Sequence, residues 1–68
     1  MKLTVDYVTS NDYPDRLTIG DLLRSMDVEP VPWLIVSINN TFYKREVFDN
    51  TYLHDGDRVD LIYVRGGG

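Results

Sequence analysis

The sequence contains one histidine, no cysteine and three consecutive glycines at Gly66-Gly67-Gly68. Without a thiol there is no disulfide, no thiolate metal site and no cysteine nucleophile. One histidine is too few for a two-histidine metal site. His54 sits beside acids in His54-Asp55-Gly56-Asp57 with no partner nucleophile, so it is expected to be a surface turn residue rather than a general base. Asp55-Gly56-Asp57 has the start of a calcium loop but lacks the remaining ligands and the distal glutamate. A tight turn is the expectation there. Asp12, Asp15 and Asp21 suit loop solvation and helix capping better than paired-carboxylate chemistry.

The glycine run remains. By itself it is equally consistent with an inert end. Its context is more telling: it follows a strongly apolar segment with only Arg65 between. A short domain ending in extended glycines is what a carboxyl-terminal carrier needs. Such a carrier reacts through its last carboxylate, on Gly68, which has to reach a nucleotide α-phosphate inside another protein. Gly66 and Gly67 let the backbone pass a narrow channel without side-chain clash. Adenylation converts the poor leaving group of a carboxylate into a good one. Sulfur can then attack the acyl carbon, and the resulting thiocarboxylate can deliver that sulfur. No catalytic side chain is required of the carrier.

The elements that must present this tail can be read from periodicity. The chain has 68 residues, 43% hydrophobic and 26% charged, with a net charge of −4. That is one small domain that must stand on its core. The acidic balance argues against nucleic acid or an anionic membrane as partner and permits a basic docking face. Met1-Lys2 leads into no apolar run suited to a signal peptide, and no stretch approaches a membrane span, so a cytoplasmic location is expected. Asn39-Asn40-Thr41 is then a chance glycosylation match.

Lys2–Val8 alternates, with Leu3, Val5 and Tyr7 on one face, and predicts a strand. Thr9–Arg16 predicts a loop, with a short strand at Leu17 pairing back. Thr18 and Asp21 predict a capped helix start, and Ile19, Leu22, Leu23 and Met26 its apolar stripe. Pro30 and Pro32 bar continuation. Leu34–Asn39 predicts a strand apolar on both faces, turning at Asn39-Asn40 into Thr41-Phe42-Tyr43. Residues 44–51 predict an irregular piece or helical turn pinned by Val47 and Phe48, followed by a brief extended Tyr52-Leu53. Phe42, Phe48 and Leu53 are expected in the core or at its edge. After the Gly56 turn, Arg58–Val64 predicts the last strand.

One helix and four to five strands predict an α+β fold, with the helix covering one face of a mixed sheet. The order points to a β-grasp, first and last strands parallel at the centre, over residues 1–65, with 66–68 as a flexible reactive tail. Val36, Ile38, Val59 and Leu61 are assigned to the core under the helix. By alternation Ile35, Ile62 and Val64, with Trp33, fall on the opposite face, which is expected to dock partners unless the chain's own loop covers it. Arg65 is expected either to place the tail against an acidic group or to be a solubilising end.

These elements in this order resemble the ThiS family, the ubiquitin-like sulfur carriers of thiamine biosynthesis. Thr18-Ile19-Gly20-Asp21-Leu22-Leu23 is similar to the family's helix start and Val36-Ser37-Ile38-Asn39-Asn40 to its central strand and asparagine turn. Arg45-Glu46 with Phe48, Asp55-Gly56-Asp57-Arg58-Val59, and the terminal glycines complete the likeness. Lys44, where relatives often carry proline, and the longer acidic 9–16 loop depart from it. The resemblance implies a carrier that is not itself an enzyme and binds no cofactor stably. An E1-like adenylyltransferase of the ThiF type would adenylate Gly68 with ATP and magnesium. A cysteine desulfurase or rhodanese-type relay would supply sulfur, and a thiazole synthase of the ThiG type would receive it. Alternatives are the small subunit of molybdopterin synthase, a protein modifier forming isopeptide bonds, and an interaction domain with an inert tail. The approach Ile62-Tyr63-Val64-Arg65 has no proline, which favours the thiamine type over the molybdopterin type.

Overall fold

The computed structural model describes residues 1–65. Strands β1 (Leu3–Val5), β2 (Val8–Ser10), β3 (Leu34–Ile38), β4 (Thr41–Lys44) and β5 (Asp57–Tyr63) form one sheet in the order β2-β1-β5-β3-β4. β1 and β5 run parallel at its centre, and the other neighbours are antiparallel. Helix α1 (Ile19–Ser25) and the 3-10 helix Arg45–Asn50 complete the chain. This is the β-grasp arrangement that the strand order predicted. Among the described residues no helix is long and apolar enough to cross a membrane.

The first hairpin differs from expectation. β1 stops at Val5, and the chain reverses through Asp6 (φ 47°) and Tyr7 (φ 72°), so that β2 is Val8–Ser10 rather than a strand at Leu17. Left-handed backbone is unusual for tyrosine, and Tyr7 is 79% exposed instead of joining Leu3 and Val5 in the core. Distant contacts hold the turn. The Asp6 N–H donates to the Val59 carbonyl at 2.9 Å. Asp6 Oδ1 accepts from the Leu61 N–H at 2.9 Å, continuing the β1–β5 ladder with a side chain where the backbone turns away. The Arg58 guanidinium lies 4.9 Å from the centre of the Tyr7 ring. Asp6→Ala is therefore expected to lose about 2 kcal/mol, from one hydrogen bond and from alanine at positive φ. Asp6→Gly is expected to lose only the hydrogen-bond share, about 1 kcal/mol; urea unfolding of the pair checks this. Leu17 is buried outside any strand, its carbonyl accepting from the Leu53 N–H at 2.8 Å, and Thr18 bridges to Tyr52.

α1 begins where the sequence places it. Thr18 Oγ1 accepts from the Asp21 N–H at 3.0 Å, and Asp21 Oδ2 accepts from the Thr18 N–H at 3.1 Å, a reciprocal capping box. The Thr18 backbone bond first, and then Arg24, hold the Asp21 carboxyl below its ordinary value. Arg24 contacts Asp21 at 2.7 Å and Asp49 at 3.1 Å, tying α1 to the 3-10 helix. The helix ends before the prolines act. Asp27 takes φ 56°, the Val28 N–H reaches the Leu23 carbonyl at 2.9 Å, and the Asp27 N–H reaches the Arg24 carbonyl at 3.2 Å. That is a Schellman stop with aspartate in place of glycine. Met26, expected in the apolar stripe, becomes the cap and is 39% exposed.

Ile19, Leu22 and Leu23 pack on Leu3, Val5, Leu34, Val36, Ile38 and Val59, with Phe48 and Leu53 closing the core. Leu61 is partly buried against it. Phe42, expected at the core, is 67% exposed, and Val47 also faces outward. The register explains Phe42: it stands opposite Ser37, on the sheet face that α1 leaves open. The Asn39-Asn40 turn has positive φ at both residues, as its sequence predicts.

The 54–57 segment is a structural turn. Asp55 Oδ1 accepts from the Lys2 N–H at 2.7 Å. Asp57 accepts from the His54 N–H at 2.8 Å and from Asn39 Nδ2 at 2.9 Å, while Asn39 Oδ1 accepts from the Arg58 N–H at 2.9 Å. Asp57 and Asn39 thus lock the β3–β4 turn to the start of β5. His54 is an exposed turn residue.

Candidate docking face

α1 covers one face of the sheet and leaves the other open. Strand register fixes which side chains share the open face. Ile35 pairs with Ile62 and Lys44, Ser37 with Asp60 and Phe42, and Thr4 with Arg58 and Thr9. The face is therefore graded. Its polar end carries Thr4, Thr9 and Arg58; its apolar end carries Ile35, Ile62 and Phe42.

β5 leaves the sheet beside the apolar end. The Val64 N–H donates to the Trp33 carbonyl at 2.8 Å, so the segment leading to the glycines is held against the approach to β3. Trp33, Ile62 and Val64 are 55%, 38% and 44% exposed, and Ile35 is partly buried. Trp33, Ile35 and Val64 line one groove of about 420 Å³ together with Pro32, Lys44 and Glu46. Trp33, Val64 and Arg65 line an adjoining cleft with Tyr63. Four residues singled out by alternation, Trp33, Ile35, Ile62 and Val64, are thus contiguous, and Arg65 adjoins them where the chain leaves the sheet. Gly66, Gly67 and Gly68 lie outside the described residues. The 9–16 loop lies along the N-terminus, where the Tyr13 N–H donates to the Met1 carbonyl at 3.3 Å.

Sequence reasoning missed Phe42, Lys44, Glu46 and Tyr63 as neighbours of this surface. A signal for Phe42 and Lys44 was present: the two-residue Asn39-Asn40 turn fixes the hairpin register and puts both on the face of Ile35 and Ser37. Glu46 and Tyr63 had no such local marker, because the groove around them depends on how the 3-10 helix and the end of β5 converge.

Comparison with known proteins agrees with this geometry. The model of the ThiS family matches residues 5–68. The crystal structure of a thiamine biosynthesis protein (ThiS) from Geobacter metallireducens superposes with a TM-score of 0.84 at 36% identity, covering all of both chains. A solution structure of a thiamine biosynthesis protein from the same organism gives 0.75 at 35% identity, covering all of this chain and 88% of that one. The uncharacterized protein ycf40 of Porphyra purpurea is 32% identical over 54 residues, 79% of this chain and 75% of that protein.

Proposed function

The chain belongs to the ThiS family, and on that premise we propose that it is a sulfur carrier protein whose Gly68 carboxylate is adenylated and converted to a thiocarboxylate. The observation that carries this reading is that the family match runs through Gly66-Gly67-Gly68. Residues 1–65 serve as the handle and 66–68 as the reactive tail. A ThiF-type adenylyltransferase holds the ATP and magnesium. The Gly68 carboxylate oxygen attacks the α-phosphate and pyrophosphate leaves. A persulfide sulfur, from a cysteine desulfurase or rhodanese-type donor, then attacks the acyl carbon and AMP departs with the electron pair of the C–O bond. A second thiol cleaves the S–S bond and leaves sulfur on Gly68. A ThiG-type thiazole synthase takes that sulfur, in the cytoplasm. The chain is co-substrate throughout and not an enzyme.

The open apolar face supports the docking half of this reading. It places Trp33, Ile35, Ile62 and Val64 at the root of the tail, so a partner that grips them also aims the carboxylate. Ile62→Asp is expected to lower kcat/KM for adenylation at least about thirtyfold, the scale of a lost interface anchor. It should shift stability by no more than about 1 kcal/mol, because the side chain is already partly exposed. Initial rates against carrier concentration, beside urea unfolding, check both.

The molybdopterin reading is disfavoured by the proline-free approach to the glycines and by the thiamine biosynthesis proteins among the similar structures. Reconstitution separates the outcomes. Thiazole formation dependent on the charged carrier supports the proposal, molybdopterin formation alone replaces the pathway, and lysine-linked adducts point to a modifier.

A further inference from the structure

On the open face, at the boundary between its apolar and polar ends, Asp60 carries a carboxylate oxygen out of contact with solvent and without a hydrogen-bond partner among the described residues. It lies on β5, the central strand, opposite the buried Ser37 and two positions before Ile62. Its side chain retains 20% exposure. Its other oxygen is 3.4 Å from Arg58 Nε, longer than a good charge-assisted hydrogen bond. Arg58 is drawn instead over the Tyr7 ring, and the nearby Asp6 carboxylate is occupied by the Leu61 N–H. A carboxylate oxygen shielded from water without a donor costs folding free energy. Nothing in the sheet requires a carboxylate here: at Asp60 β5 pairs through its backbone with β3, and on the other side, where the β1 pairing ends at Val59, Asp6 takes the Leu61 N–H.

We propose that Asp60 is a docking anchor: it accepts a hydrogen bond from a cationic side chain, arginine or lysine, on the partner protein whose apolar surface covers Ile35 and Ile62. This rests on the docking reading above and adds the partner's chemistry to it. The χ2 torsion of aspartate is broad, so a small rotation turns the unpaired oxygen outward as the donor arrives. Water leaves the adjoining apolar surface on docking, which strengthens the pair. A negative group at the edge of an apolar patch also sets register, because a partner with an acidic or neutral group at that point leaves the carboxylate buried and unpaired.

The test uses the full chain with the adenylyltransferase of the same organism as probe. Asp60→Asn keeps the shape and removes the charge. It is expected to raise KM for the carrier about tenfold or more, with kcat unchanged and the urea midpoint unchanged or higher. Asp60→Glu, which restores the charge, is expected to recover most of the lost affinity. Added salt should weaken the wild-type interaction more than that of Asp60→Asn. Unchanged KM in Asp60→Asn, with wild type adenylated normally, overturns this proposal and leaves the carrier reading intact. A KM increase that merely tracks a lowered urea midpoint also overturns it, because the carboxylate is then a structural group. Failure of the wild-type chain itself to be adenylated overturns the carrier reading and this proposal together.

Discussion

Deleting Gly68 alone is expected to abolish adenylation and sulfur transfer while leaving the stability of the fold unchanged. The deletion creates a new carboxylate on Gly67, so the chemistry of the reacting group is retained. What changes is its position, withdrawn by roughly 3.5 Å, one extended residue. A misplacement of about 1 Å from the attack geometry already costs on the order of a hundredfold in rate. A shift several times larger removes the carboxylate from the α-phosphate altogether. Stability should not follow, because every core residue from Leu3 to Val59 precedes the tail. Equal urea midpoints with no release of pyrophosphate from the shortened chain is the expected pair of results. An active shortened chain would mean that the partner does not measure tail length.

Phe48→Ala has the largest expected effect on stability. Phe48 is 2% exposed, set by the 3-10 helix into the core beside α1. Truncating a buried phenylalanine costs about 3–5 kcal/mol. A chain of this length has about 3–10 kcal/mol in all, so much of the population is expected to unfold. Phe42→Ala provides the contrast. Phe42 is 67% exposed on β4, and its loss is expected to cost less than about 1 kcal/mol. Urea or thermal unfolding of the two variants distinguishes the phenylalanine that builds the fold from the one that lies on the open face of the sheet. Similar losses would contradict the packing that buries Phe48 in the core and the register that leaves Phe42 on the open face.

The same pair shows how far the sequence could be read. Both phenylalanines are apolar residues in polar surroundings, and composition treats them alike. Their fates are decided by strand register and by how the 3-10 helix packs on α1. Local signals transferred well. The capping box of Thr18 and Asp21 forms, Asn39-Asn40 turns with positive φ, and the parallel pairing of β1 with β5 follows from element order. Side-chain contacts between distant segments had no such signal. The turn at Asp6-Tyr7 depends on Val59, Leu61 and Arg58, more than fifty residues along the chain, and nothing within Lys2–Val8 announces it. Met26 ends up as a cap because Asp27 tolerates a left-handed conformation, a stop less conspicuous in sequence than the prolines beyond.

For the candidate site, alternation along β3 and β5 was enough to assemble Trp33, Ile35, Ile62 and Val64 on one surface. It could not rank the polar residues that share the face. Asp60 and Arg58 look like ordinary solvating charges of a terminal strand. Only packing shows that one oxygen of Asp60 is shielded and unpaired.

The chemistry proposed for the Gly68 carboxylate can be read from the mass of the intact protein. The chain is incubated with ATP, magnesium, the adenylyltransferase and a sulfur donor, and the product is fragmented to locate any change. The expected result is a mass gain equal to the exchange of one oxygen for one sulfur, confined to the fragment containing Gly68 and dependent on ATP. An unchanged mass with a partner shown to be active on another carrier, or sulfur located anywhere but Gly68, would contradict it.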